Sequence, residues 1–178
     1  MALTTKQRGV LAGMAGGATF TVVAITAAIL AGPILLLPES SFGDRIAFAL
    51  KVDIVVALWL SISVGRLASH RFFTPEDIDG GGLSGGTQQA RVLQATLQNT
   101  VEQTVLAVLA HTIWAVLMPL TWLAAIPAAA AMFVCGRILF VRGYARGAPA
   151  RALGFTLTFY PSVLMILIML VSLGLRGV

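Results

Sequence analysis

A chain of 178 residues that is 58% hydrophobic and only 11% charged carries more apolar side chain than a soluble domain of that length can bury, so a bilayer must take the excess. The formal net charge of +5 would fit nucleic acid in a soluble protein, but here Lys and Arg stand mostly at the ends of apolar runs, which fits membrane orientation and argues against a nucleic-acid partner. The single cysteine, Cys135, has no partner for an intrachain disulfide and no neighbouring His or Asp, so it is expected to be a small buried hydrophobe, and no metal site is expected.

The first apolar run, Val10 to Leu37, follows Lys6 and Arg8. It is too long for the core of a signal peptide and long enough to cross a bilayer, which predicts a retained transmembrane helix. Gly9, Gly13 and Gly17 stand four apart and leave one face of that helix bare, a surface on which another backbone can pack closely. Pro38, Glu39, Ser40, Ser41 and Gly43 end the run, and a second extends from about Asp44 to Ser69, with Lys51 and Asp53 inside it.

The stretch Arg71 to Gln89 is polar and glycine-rich and reads as an exposed loop. It lacks the Lys-Ser/Thr ending of a phosphate loop and no strand precedes it, which argues against a nucleotide site. The third predicted helix, Thr87 to Met118, is divided: Arg91, Gln94, Gln98, Asn99, Glu102 and Gln103 fill its first half, and its second half is nearly all apolar. The polar half must face protein or water. Pro119 marks a tight connection to a fourth run, Leu120 to Phe140; Arg142, Tyr144, Arg146 and Pro149 lie in a basic loop, and a fifth run, Leu153 to Leu175, follows.

Lys6 and Arg8, then Arg66, Arg71 and Arg91, then Arg137, Arg142, Arg146 and Arg151 fall on one side of the membrane if there are five spans. That bias predicts an amino terminus in the cytoplasm and a carboxyl terminus outside. On the same side, Asn99 and Glu102 share a face of the third helix, and Glu102 lies ~16 Å along the axis from Arg91. An arginine partner for that carboxylate is the expected remedy, and Arg66, Arg137 and Arg151 are the candidates. Guanidinium groups in excess of carboxylates invite an anionic ligand, held in a bidentate fork. The alternatives are arginines that merely anchor to lipid phosphate, or an interhelical network with no ligand. A transporter is disfavoured, because it needs intramembrane charges along a path and only Lys51 and Asp53 lie toward the other face; they are two apart and do not face each other.

Three stretches resemble one family, the membrane-associated proteins in eicosanoid and glutathione metabolism (MAPEG), which includes microsomal glutathione transferases. They are Val64-Gly-Arg66 through Phe73-Thr-Pro-Glu-Asp77; Leu97-Gln-Asn-Thr-Val-Glu102; and Gly136-Arg137 through Gly143-Tyr144 to Ala148-Pro-Ala-Arg151. The resemblance, over residues ~44 to 175, implies an all-α integral membrane protein: a MAPEG-like four-helix membrane domain at 41–178, preceded by an additional transmembrane helix at 1–40. It implies a homotrimer that binds glutathione as co-substrate between subunits, on the cytoplasmic side of what is expected to be a bacterial inner membrane.

By position, Arg66, Asn99, Glu102, Arg137 and Tyr144 look like the glutathione-binding set, with Arg137 and Arg66 suited to the peptide's carboxylates and Glu102 to its amino group. Arg151 would stand nearest the sulfur and favour its thiolate, the catalytic role. The implied activity is a glutathione-dependent transferase or peroxidase acting on small lipophilic electrophiles that arrive from membrane lipid. Gln98, Phe140 and Phe155 depart from the Arg, His and Tyr found at those places in other members, which leaves fewer polar contacts for the peptide. The alternative is a non-catalytic member whose polar network is structural or binds another anionic lipid or metabolite.

Overall fold

The structure is a computed structural model that describes residues 2–34 and 37–176; Leu35 and Leu36, near the expected end of the first run, lie outside the described residues. Helix α1 spans Thr5–Ala31, α2 Phe42–Val52, α3 Ile54–Phe73, α4 Gln88–Leu117, α5 Ala125–Gly143 and α6 Ala148–Arg176. With α2 and α3 taken as one span, five segments are long and apolar enough to cross a bilayer. The five expected runs are therefore present, and the last begins five residues earlier than its apolar stretch because Ala148, Pro149 and Ala150 already form a helical turn.

Outward faces carry large apolar side chains such as Phe20, Val23, Leu58, Leu109 and Leu170, the pattern of helices solvated by lipid. Cys135 belongs to this outer surface: it is exposed on α5, contrary to the expectation that it is buried, because the inner face of that helix is taken by Met132, Phe133, Gly136 and Arg137.

Helix α6 is the central element, packed on α1, α4 and α5. It runs parallel to α1, with Gly9, Gly13 and Gly17 meeting Pro149, Ala152 and Thr156 in turn, so Lys6 and Arg8 lie at the same end of the bundle as Arg146 and Arg151. Against α5 the approach is closer still. A Cβ on Gly154 would stand 2.3 Å from the Phe140 backbone nitrogen, and one on Gly136 would stand 2.8 Å from the Gly154 carbonyl oxygen. Only hydrogens at these positions allow the two backbones to meet, and that contact sets the distance across which side chains of α5 reach α6.

The far end is apolar. Trp114, Leu123, Ile126, Met165 and Met169 form its core, with Trp114 stacked on Trp122 and donating from Nε1 to the Trp122 carbonyl at 2.9 Å. Arg45 closes it by donating to the carbonyls of Ala115 and Met118, which α4 leaves unsatisfied at its carboxyl end.

The second span is interrupted at Asp53, which is both the last cap of α2 and the first of α3. Its carboxylate caps neither helix. It turns inward instead, and Oδ1 lies 2.6 Å from His111 Nδ1, with both residues buried. Removing one partner strands the other in an apolar interior. Asp53→Ala is expected to lower stability by about 3 kcal/mol, seen as an earlier melt in detergent, whereas Asp53→Asn, which still offers an oxygen to the imidazole, retains most of it. A melt of Asp53→Ala equal to the parent would show that the contact carries nothing.

Candidate functional site

Arg137, on the inner face of α5, is fully enclosed. One terminal nitrogen donates to Asn99 Oδ1 on α4 at 2.9 Å, and the other to Thr158 Oγ1 on α6 at 2.7 Å. The guanidinium lies over the Phe140 ring, 4.5 Å from its centroid, with Phe133 at 5.8 Å. Among the described residues no carboxylate lies within 4 Å of it and its Nε–H has no partner. The bundle thus holds a cation that has hydrogen bonds and aromatic faces but no counter-charge.

In front of this group a cavity of about 460 Å³ opens between α1, α4, α5 and α6. Asn99, Tyr144 and Arg151 line its polar end; Phe140, Phe155, Phe159 and Tyr160 continue it as an apolar trough. Arg151, Phe155 and Phe159 recur at intervals of four on α6, so they stand one above another at about 6 Å per step. Arg151 lies over the Tyr144 ring at 4.2 Å and makes no hydrogen bond or ion pair among the described residues, so its donors are available. Tyr144 is presented by a single helical turn, Tyr144–Arg146, and Gly147, with φ +96, reverses the chain into α6.

The six expected residues divide in two. Asn99, Tyr144 and Arg151 meet at the cavity, with Arg137 directly behind Asn99 rather than on the cavity wall. Glu102 and Arg66 stand elsewhere, both exposed. Glu102 accepts from Gln98 Nε2 at 3.0 Å, one helical turn back, so the expected arginine partner is replaced by a neighbour on its own helix. Arg66 borders a separate depression with His70 and Gln89. Arg91, Gln94, Gln98 and Glu102 form one exposed stripe on α4, and Val105, Leu109 and Ile113 extend the same face as an apolar strip.

Sequence reasoning did not single out Thr158, although it lies seven residues after Arg151 on the same face of α6. It also missed what fixes the loop before α4. Asp77, almost fully buried, accepts from the Thr87 backbone N–H at 2.7 Å and the Thr87 hydroxyl at 2.6 Å, and lies 2.9 Å from His70 Nε2. Arg91 adds two bonds to the carbonyls of Gly85 and Gly86.

The sequence model of the MAPEG family matches residues 46–171, which takes in the Asp53 break, the loop, and every one of the six expected positions. The chain belongs to the MAPEG family. No curated protein and no solved structure matches it. The MAPEG segment covers α3 to α5 with most of α2 and α6, and leaves α1 outside it.

The Thr87 hydroxyl, then its N–H, and to a lesser degree His70 hold the Asp77 carboxyl below the usual carboxylate range. A depressed value means the clamp is intact above the ordinary pKa of ~3.9 and is lost as pH falls through the lower folded value. Limited proteolysis of the 74–87 loop should therefore be constant from neutral pH down to about 4 and rise below it. Asp77→Asn should open the loop already at neutral pH; equal cleavage of both proteins at every pH would remove Asp77 from this role.

Proposed function

We propose that this MAPEG protein is a membrane-bound glutathione-dependent transferase or peroxidase for small lipophilic electrophiles, with its amino terminus on the cytoplasmic side. The observation that carries the reading is the cavity that joins a free guanidinium, Arg151, to an apolar trough. One ligand class fits each end: an anionic, polar thiol at Arg151, Tyr144 and Asn99, and an apolar molecule from the bilayer along Phe155 and Phe159. The enclosed charge of Arg137 keeps the Asn99 amide oriented and adds positive potential behind the polar end.

The chemistry needs no further group from the protein. A thiol with an ordinary pKa of ~8.5 ionises more readily beside a guanidinium, and its proton leaves to water. The thiolate's electron pair then forms a carbon–sulfur bond while the displaced group departs with its bonding pair. Oligomerisation fits the same reading. The polar stripe from Arg91 to Glu102 cannot face lipid without cost, and a second and third copy of the chain would cover it and bring Glu102 and Arg66 to a neighbour's cavity.

A second reading has its own support. Arg137 is wholly enclosed and bonded on both terminal nitrogens, which is also what a structural network needs. Arg151→Ala separates the two. Under the catalytic reading it binds glutathione within a few-fold of the parent, loses about 100-fold or more in kcat with an activated halonitrobenzene, and moves the rising limb of its pH–rate profile to higher pH. An unaltered profile and rate would favour the structural network.

A further inference from the structure

Helix α1 lies outside the segment that matches the family, yet it forms a wall of the cavity: Val10 and Met14 line it together with Arg151, Phe155 and Phe159 of α6. The helix is held there closely. A Cβ on Gly13 would stand 2.8 Å from the Ala152 Cβ and one on Gly17 only 2.0 Å from the Thr156 hydroxyl, and that hydroxyl donates to the Gly13 carbonyl at 3.3 Å. Met14 sits between these two contacts and cannot slide along α6 without breaking them.

The level at which it sits follows from the same pairs. Gly9 meets Pro149, Gly13 meets Ala152 and Gly17 meets Thr156, so Val10 stands near the height of Ala150 and Met14, about one helical turn farther into the membrane, near that of Leu153, between Arg151 and Phe155. A molecule whose reactive carbon meets a thiolate at Arg151, and whose apolar body lies along the trough, passes Met14 on the way to Phe159, about 12 Å from Arg151 along the axis. Methionine is unbranched and flexible, so the wall it makes yields to bodies of different shape but still limits their bulk.

We propose that Met14, assisted by Val10, is the residue that determines which electrophile this protein accepts, and that the accepted class is the electrophile with a reactive carbon at one end and a single slender apolar chain or ring at the other. This rests on the glutathione reading above for the reactive end and on the cavity alone for the apolar end. The selecting residue comes from a helix the family segment does not include, so selectivity here is set apart from the machinery that holds the thiol.

The test compares the parent with Met14→Ala and Met14→Phe on a homologous series of 2-alkenals, to which the thiolate adds at the β-carbon and water then supplies the proton to the α-carbon. The readout is the ratio of kcat/KM for long and short chains, which cancels any change in overall activity, with glutathione affinity by calorimetry as the check that each variant is folded. Met14→Ala is expected to move the preferred chain roughly two or three carbons longer, at about fourfold in kcat/KM per methylene, and Met14→Phe to move it shorter. Profiles of both variants that coincide with the parent would overturn the proposal. If the folded parent binds no glutathione, the functional reading fails by itself, and calorimetry with a series of straight-chain carboxylates, whose heads can meet Arg151, decides the question of Met14. A chain-length preference displaced by Met14→Ala supports the wall, and one unmoved overturns it.

Discussion

The enclosed guanidinium of Arg137 is the group around which the rest is arranged. A cation within the span of a bilayer costs several kcal/mol unless it is answered. Here the answer is assembled from three helices: the Asn99 amide of α4, the Thr158 hydroxyl of α6, and the Phe140 and Phe133 rings of α5 itself. The two hydrogen bonds form only if α4, α5 and α6 are at fixed distances, and Gly136 and Gly154 make the α5–α6 distance short enough. The same requirement leaves Asn99 aimed at the cavity and Phe140 in its wall, so the constraint that keeps the charge tolerable also shapes the place where chemistry can occur.

The two ends of the bundle are built differently as a result. The end with Trp114, Trp122 and Arg45 is closely packed and saturates its own carbonyls. The end with Arg151 and Tyr144 leaves donors free and a cavity open. Between them, the Asp53–His111 pair ties the break in the second span to α4 in the same manner as Arg137 ties α5 to α4 and α6: a polar contact with no water to compete against it.

The number of spans, their order and the glycine face of α1 were legible because apolar run length and a four-residue spacing are local properties of the chain. The partners of polar groups were not. Glu102 invited an arginine, yet Gln98, already one turn away on α4, meets it at no conformational cost to the fold. Asp53 was weighed only against Lys51, two residues away, because its actual partner His111 lies 58 residues on. Cys135 was placed inside by its apolar neighbours, but all sides of a membrane helix are apolar, and hydrophobicity no longer separates core from surface. Of the six site residues, those on helix faces turned toward α6 came together; Arg66 and Glu102, the latter on the same helix as Asn99, lie on faces that the single chain leaves open.

The most direct test of this account is calorimetric titration of the intact protein, purified in mild detergent, with glutathione alone. Saturable binding of about one glutathione per chain in the millimolar range or tighter, weakened tenfold or more by replacing Asn99 with Leu, is the predicted result. A folded, monodisperse protein that takes up no glutathione at millimolar concentration would contradict it, and the Arg137 cluster would then be a means of holding the bundle together rather than the floor of a thiol site.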